Sequence, residues 1–149
     1  MAETPMPDKA PPDKLSIVVY AGDYGRVHYA LAMASAAAAM AKPATLFFTM
    51  AAIRALTKHE GWRELPAGDL APGDNGGDQD GAMIARGLAG FEELLEACVA
   101  FKVKFLVCEM GLRALGLAKS DLRGDVAYDE GGIVSFLADA SASGSTLFI

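Results

Sequence analysis

Short runs of β-branched and aromatic residues alternate with longer runs rich in Ala, Leu and Met along most of this 149-residue chain, and no other feature restricts its fold as strongly. Residues 15–20, LSIVVY, run into the turn-forming AGDYG, as a buried strand does. Residues 26–41 consist mostly of good helix formers and stop at Lys42-Pro43, because proline disfavours the helical conformation of the residue before it. A second strand, ATLFFT at 44–49, and a second helix, MAAIRALTKH at 50–59, repeat the change of period.

Further along, FEELLEACVAF at 91–101 puts Phe91, Leu94, Leu95 and Cys98 on one helical face and Glu92, Glu93 and Glu96 on the wet one. The strand KVKFLVC then leads into Cys108. A short helix EMGLRALG, a loop LAKSDLRG, a small strand DVAY, a helix EGGIVSFLADA and a closing strand STLFI complete the chain. This alternation predicts an α/β fold: one three-layer α/β/α domain over residues 15–149, with a mostly parallel sheet of about five strands and helices on both faces. With only 8% aromatic residues, its core is built from small aliphatic side chains, which suits close helix-on-sheet packing.

Two segments stand apart. Residues 1–14, MAETPMPDKAPPDK, are acidic and proline-rich where a signal peptide needs a basic start and an apolar run, and they are expected to form a disordered leader. Residues 60–87 are dense in Gly, Pro, Asp and Asn and are expected to be a long, partly mobile loop, of the kind that is either functional or disordered.

Composition narrows the function. The formal charge is −6 and no Lys/Arg cluster is present, which argues against nucleic acid as a partner. The most apolar stretch, residues 29–53, is broken by Lys42-Pro43 before it reaches the roughly 20 residues that a bilayer span requires, so no membrane role is expected. Two cysteines without metal-ligand spacing or a secretory signal fit a cytoplasmic protein with free thiols. AGDYGRVH is neither a dinucleotide fingerprint nor a Walker loop, and DNGGDQDG misses the calcium-loop spacing. No hydrolase triad, paired-carboxylate motif or zinc ligand set is apparent, so neither metal nor organic cofactor is expected.

Cys108 carries the chemistry. It falls at the carboxyl end of a strand, where open α/β sheets gather ligands and reactive groups, and just before a helix whose N-terminal N–H groups favour a thiolate. Glu109 opposes that effect, and Arg113 stands four residues beyond Glu109 on the same helical face to offset it. The competing reading makes Cys108 a small buried hydrophobe. Cys98 lies near the other end of the same strand, roughly 15 Å away at about 3.3 Å per residue. A disulfide needs Cα atoms within about 7 Å, so Cys98 is assigned to the core. Tyr24, Arg26 and His28 share a sheet edge with Cys108 if the first and third strands are neighbours, where Arg26 or His28 could stabilise a sulfur anion. Thr49 ends the second strand, where a site could form.

LFFT in the second strand, VCEMGLRALGL around Cys108, GGIVSFLADA in the last helix and the terminal TLFI, in that order, resemble the DsrE/DsrF-like sulfur-relay family, especially its soluble DsrE-like, "peroxiredoxin-like" branch. The resemblance spans most of residues 15–149 and is poorest over 60–87, where an acidic, Gly-rich segment replaces a methionine-rich one. It implies a flavodoxin-like domain and a persulfide or related adduct on Cys108. It also implies transfer to a sulfur-carrier protein or exchange with a low-molecular-weight sulfane donor, and assembly into a trimer or hexamer. A true peroxiredoxin is disfavoured, because Phe105 stands where a Thr is expected three residues before the cysteine. The expected function is therefore a sulfur carrier or sulfurtransferase-type protein; the alternative is a noncatalytic oligomeric binding module with a structural Cys108.

Overall fold

The structure is a computed structural model and describes residues 13–149. Five strands, β1 (Leu15–Val19), β2 (Ala44–Phe48), β3 (Lys104–Cys108), β4 (Tyr128–Gly131) and β5 (Ser145–Phe148), form one all-parallel sheet in the order β4-β3-β2-β1-β5. The helices are α1 (Tyr24–Ala39), α2 (Gly76–Ala85), α3 (Phe91–Ala100), α4 (Glu109–Leu115) and α5 (Ile133–Asp139), with 3-10 turns at Met50–Leu56, Gly61–Glu64 and Lys119–Asp121. The α/β fold with helices on both sides of a parallel sheet follows directly.

Because successive strands step in one direction from β1 to β4, β2 lies between β1 and β3. The first and third strands are therefore not neighbours. The chain then crosses the whole sheet to add β5 beside β1, which carries α5 to the opposite face from α1 and α3. Side chains alternate accordingly. Ile17, Leu46, Phe48, Phe105 and Val107 face α1 and α3, while Val18, Phe47, Leu106 and Cys108 face α5, where Phe47 stacks on Phe136 at 5.2 Å.

Local chemistry explains the boundaries. Asp23 caps α1 through the Arg26 N–H, so the helix begins at Tyr24, two residues before the expected start. The small strand is β4 at Tyr128–Gly131, three residues later than DVAY, since Asp125 instead ion-pairs with Arg123. Residues 60–87, expected as a long loop, contain a 3-10 turn and α2, which Asn75 caps through the Asp78 N–H. Of the expected leader, Asp13 and Lys14 are bound to Ser141 and Asp139 respectively, and residues 1–12 lie outside the described residues. No helix among the described residues is long and apolar enough to cross a membrane.

Candidate functional site around Cys108

Cys108 is the last residue of β3 and the residue that precedes α4. Its neighbour on β4 is Gly131. On the other side the pairing of Phe48 with Val107 carries Thr49 alongside it. Gly111 settles α4 against the turn at Met50–Leu56: a Cβ there would stand 2.6 Å from Ile53 Cδ1 and 2.7 Å from the Met50 backbone N. The glycine thus fixes how the chain leaves Cys108. Gly116, in the left-handed region at φ 67°, then ends α4.

Cys108 is only 1% exposed. Close to it on the α5 face is a cavity of about 400 Å³ lined by Tyr20, Thr49, Met110, Ile133, Leu137 and Phe148 among others, and no charged side chain lines it. Several of these residues are more than half exposed, including Met110, Ile133 and Leu137. Cys108 is therefore buried beside a largely apolar cavity at the carboxyl edge, whose rim is formed in part by exposed side chains.

The other sequence-predicted residues divide. Thr49 is beside Cys108, buried, and lines the cavity. Arg113 is on α4 but exposed, and it makes no salt bridge to Glu109 among the described residues. Tyr24, Arg26 and His28 are not brought to Cys108, because α1 packs on the opposite face and β2 separates β1 from β3. Tyr24 donates its hydroxyl to Asp80 at 2.6 Å, and burial followed by this bond pushes its ionisation well above the usual tyrosine range. His28 Nε2 is 2.8 Å from the Ala89 carbonyl. Arg26 is ion-paired with Asp23 and Asp69.

Cys98 sits in the core as expected, with Sγ 3.4 Å from the Leu31 carbonyl and burial pushing its thiol up to about 12. Both cysteines are free. Among the described residues no group of three or more His, Cys, Asp or Glu side chains is placed to hold a metal.

Sequence reasoning missed two anchors. Asp80, expected within the long, partly mobile loop, is buried and accepts from both Tyr24 Oη and the Phe91 N–H, at 2.6 and 2.7 Å. Glu92, read as a wet-face residue, accepts from Trp62 Nε1 and holds Arg123 by two bonds of 2.9 Å. Burial opposes its charge, but Arg123 and Trp62 outweigh that and hold its carboxyl below the usual range. Asn75 followed by Asp78 was the one local signal, since it marks a helix start inside the glycine-rich stretch.

The DsrE/DsrF-like family model matches residues 13–148, nearly the whole chain. The chain belongs to the DsrE/DsrF-like family. That family is related to sulfur relay. A relative from Bacillus subtilis, the uncharacterized protein YrkE, is 28% identical over 158 aligned positions that cover 91% of this chain and 96% of the relative. Among solved structures, the YchN protein from E. coli superposes with a TM-score of 0.59 at 18% identity, covering 91% of this chain and 97% of its own. MTH1491 from Methanobacterium thermoautotrophicum, a protein of unknown function, gives 0.55 at 14% identity, covering 91% and 98%. These likenesses establish the fold.

Proposed function

We propose that this DsrE/DsrF-like protein carries sulfane sulfur on Cys108 and passes it to a partner thiol. The observation that supports this most is the position of Cys108 as the last residue of an interior parallel strand, at the edge where such sheets place their chemistry. The Cys108 thiolate attacks the outer sulfur of a donor persulfide, R–S–S⁻, displacing the donor thiolate and becoming a persulfide. An acceptor thiolate then attacks the outer sulfur, and Cys108 leaves as thiolate. Each step breaks one S–S bond and forms another, so no cofactor or oxidant is consumed. The donor is a low-molecular-weight sulfane compound or a sulfur-carrier protein, and the setting is the cytoplasm. The protein works as a homo-oligomer, trimer or hexamer, a reading supported by the exposed Ile133, Val134 and Leu137 of α5.

The burial of Cys108 favours a second reading, a noncatalytic binding module in which the thiol is packing. One experiment separates the two. Purified protein is incubated with polysulfide, and its intact mass and peptides are measured. A sulfur-sized, reductant-reversible addition at Cys108 supports the carrier. Loading that survives Cys108→Ser removes the site assignment, and a Cys108 that neither loads nor alkylates selects the binding module.

A further inference from the structure

The strand register brings a hydroxyl to each side of Cys108. Thr49 continues β2 in extended form, at φ −137° and ψ 157°, and its N–H donates to the Val19 carbonyl at 3.0 Å. It therefore stands beside Cys108 at the strand spacing of about 4.8 Å. Both face α5, because Phe47, two residues before Thr49, pairs with Leu106, two residues before Cys108, and stacks on Phe136. On the other side Cys108 pairs with Gly131 of β4. A Cβ at Gly131 would stand 2.8 Å from both Cβ and Oγ of Ser135. The serine of α5 thus occupies the room that a side chain at 131 would take, one strand away from the thiol.

Both hydroxyls are uncommitted. Those of Ser35, Thr45, Thr57 and Ser141 donate to carbonyls or carboxylates. Among the described residues neither Thr49 nor Ser135 makes such a bond, although Thr49 is only 7% exposed and lines the apolar cavity. A hydroxyl held that far from water is costly without a partner.

The charged side chains of the surrounding elements are directed elsewhere. Glu109 and Arg113 of α4, Arg54 of the turn at Met50–Leu56, and Asp129 and Glu130 of β4 are all exposed. β2 carries no charge, and the one charge of α5, Asp139, is tied to Lys14 and Lys104 at the opposite edge. Burial disfavours an anion at Cys108, and hydrogen bonds to the charged form are what favours it.

We infer that Thr49 and Ser135 donate their hydroxyl hydrogens to the Cys108 sulfur in its anionic forms, the thiolate and the persulfide. This role rests on the reading of Cys108 as the residue that carries sulfur, and it adds the groups that keep the sulfur ionised in an apolar setting. Hydrogen bonds to an ionised acceptor are about twice as strong as neutral ones, and they strengthen as water is excluded. Thr49, the more buried, therefore contributes more than Ser135 at the rim.

The test reads ionisation apart from sulfur transfer. Alkylation of Cys108 is followed across pH by peptide mapping, together with the ultraviolet absorbance of the thiolate, with Cys108→Ser as the blank. Thr49→Val keeps the shape and removes the hydroxyl. It is expected to slow alkylation near neutral pH about tenfold and to move the profile to higher pH, with rates that meet the wild type where the thiol is fully ionised. Thr49→Ser restores the hydroxyl and is expected to return within about twofold of wild type. Ser135→Ala, on an exposed position of α5 where the fold is not at risk, is expected to slow alkylation about threefold with the same convergence. Cys98 is expected to be unaffected in all three. A Thr49→Val profile that overlays the wild type overturns the inference, as does Thr49→Ser as slow as Thr49→Val, which would make the effect one of packing. If the protein still loads sulfur from polysulfide in either case, the carrier reading stands alone. A profile that moves as expected in a protein that takes up no sulfur supports the two donors and removes the carrier role instead.

Discussion

Cys98 and Cys108 are buried to nearly the same degree, 0% and 1% exposed, yet their surroundings differ in what it takes to open them. Cys98 is on α3, against α1, on the face where Tyr24, Trp62 and Phe91 interlock and Asp80 ties α1, α2 and α3 together. Reaching its sulfur means separating two helices. Cys108 ends a strand on the face where, among the described residues, the seven-residue α5 packs, beside a cavity rimmed by half-exposed Met110 and Ile133. Reaching it requires local movement of a rim. Burial alone therefore does not distinguish a structural thiol from one held in reserve; the stability of its cover does.

The comparison breaks most sharply on reactivity. Cys108→Ser is expected to abolish sulfur loading completely while Cys98→Ser leaves it intact, as read by intact mass. In native protein, alkylation mapped by peptide analysis is expected at Cys108 first. A thiol held at about 12 rather than 9 has about a thousandfold less thiolate near neutral pH, so Cys98 is slow even before its enclosure is counted. In denaturant the two rates are expected to converge. Cys98 reacting first in native protein would reverse the comparison.

Stability separates the two faces next. Phe91→Ala removes a fully buried ring stacked 4.7 Å from Trp62 and is expected to cost about 3–5 kcal/mol in a denaturant titration. Leu137→Ala, on exposed α5, is expected to stay within about 0.5 kcal/mol in the isolated chain. A large loss there at high protein concentration only would show that a partner covers this face.

Gly111→Ala comes between these. Its new methyl meets the Met50 backbone, which cannot swing aside as a side chain does, so α4 must lift. A cost of about 1–3 kcal/mol is expected, with faster alkylation of Cys108 and no change at Cys98.

β1, β2, β3 and most helices were legible because each buries a contiguous apolar pattern, from LSIVV in β1 to FEELLEACVA in α3; β4, whose Asp129 and Glu130 are exposed, has none and was expected three residues too early. The carboxyl-edge position of Cys108 followed from the same pattern. What stayed hidden depended on contacts between distant segments. Nothing near Asp80 announces that Tyr24, 56 residues away, will donate to it, and nothing in Glu92 foretells Arg123. The placement of Tyr24, Arg26 and His28 failed on topology: local periodicity gives strands but not their order, and one intervening strand removed α1 from Cys108. The uncharged cavity was equally unreadable, since its lining comes from all of β1, β2, α4, α5 and β5.

The smallest expected effect sharpens the comparison from the other end of α5. Asp139 accepts from Lys14 Nζ, Thr45 Oγ1 and Lys104 Nζ at 2.7 to 3.0 Å, which pins the helix to the amino edge of the sheet. Burial opposes its ionisation, but these three bonds outweigh that and hold the carboxyl at about 2, below its ordinary 3.8. The folded value is the depressed one, so the stabilisation is fully present above about pH 4 and is lost as pH falls through about 2. A shift of this size corresponds to about 2 kcal/mol. Asp139→Asn is thus expected to lower stability by that order at pH 7 and to match wild type below pH 2, as measured by thermal unfolding across pH. Because the tie belongs to α5 alone, the same variant is expected to raise the alkylation rate of Cys108 a few-fold at pH 7 and to leave Cys98 unchanged. Equal acceleration of both would mean that the molecule opens as one unit and that the two faces are not independently held.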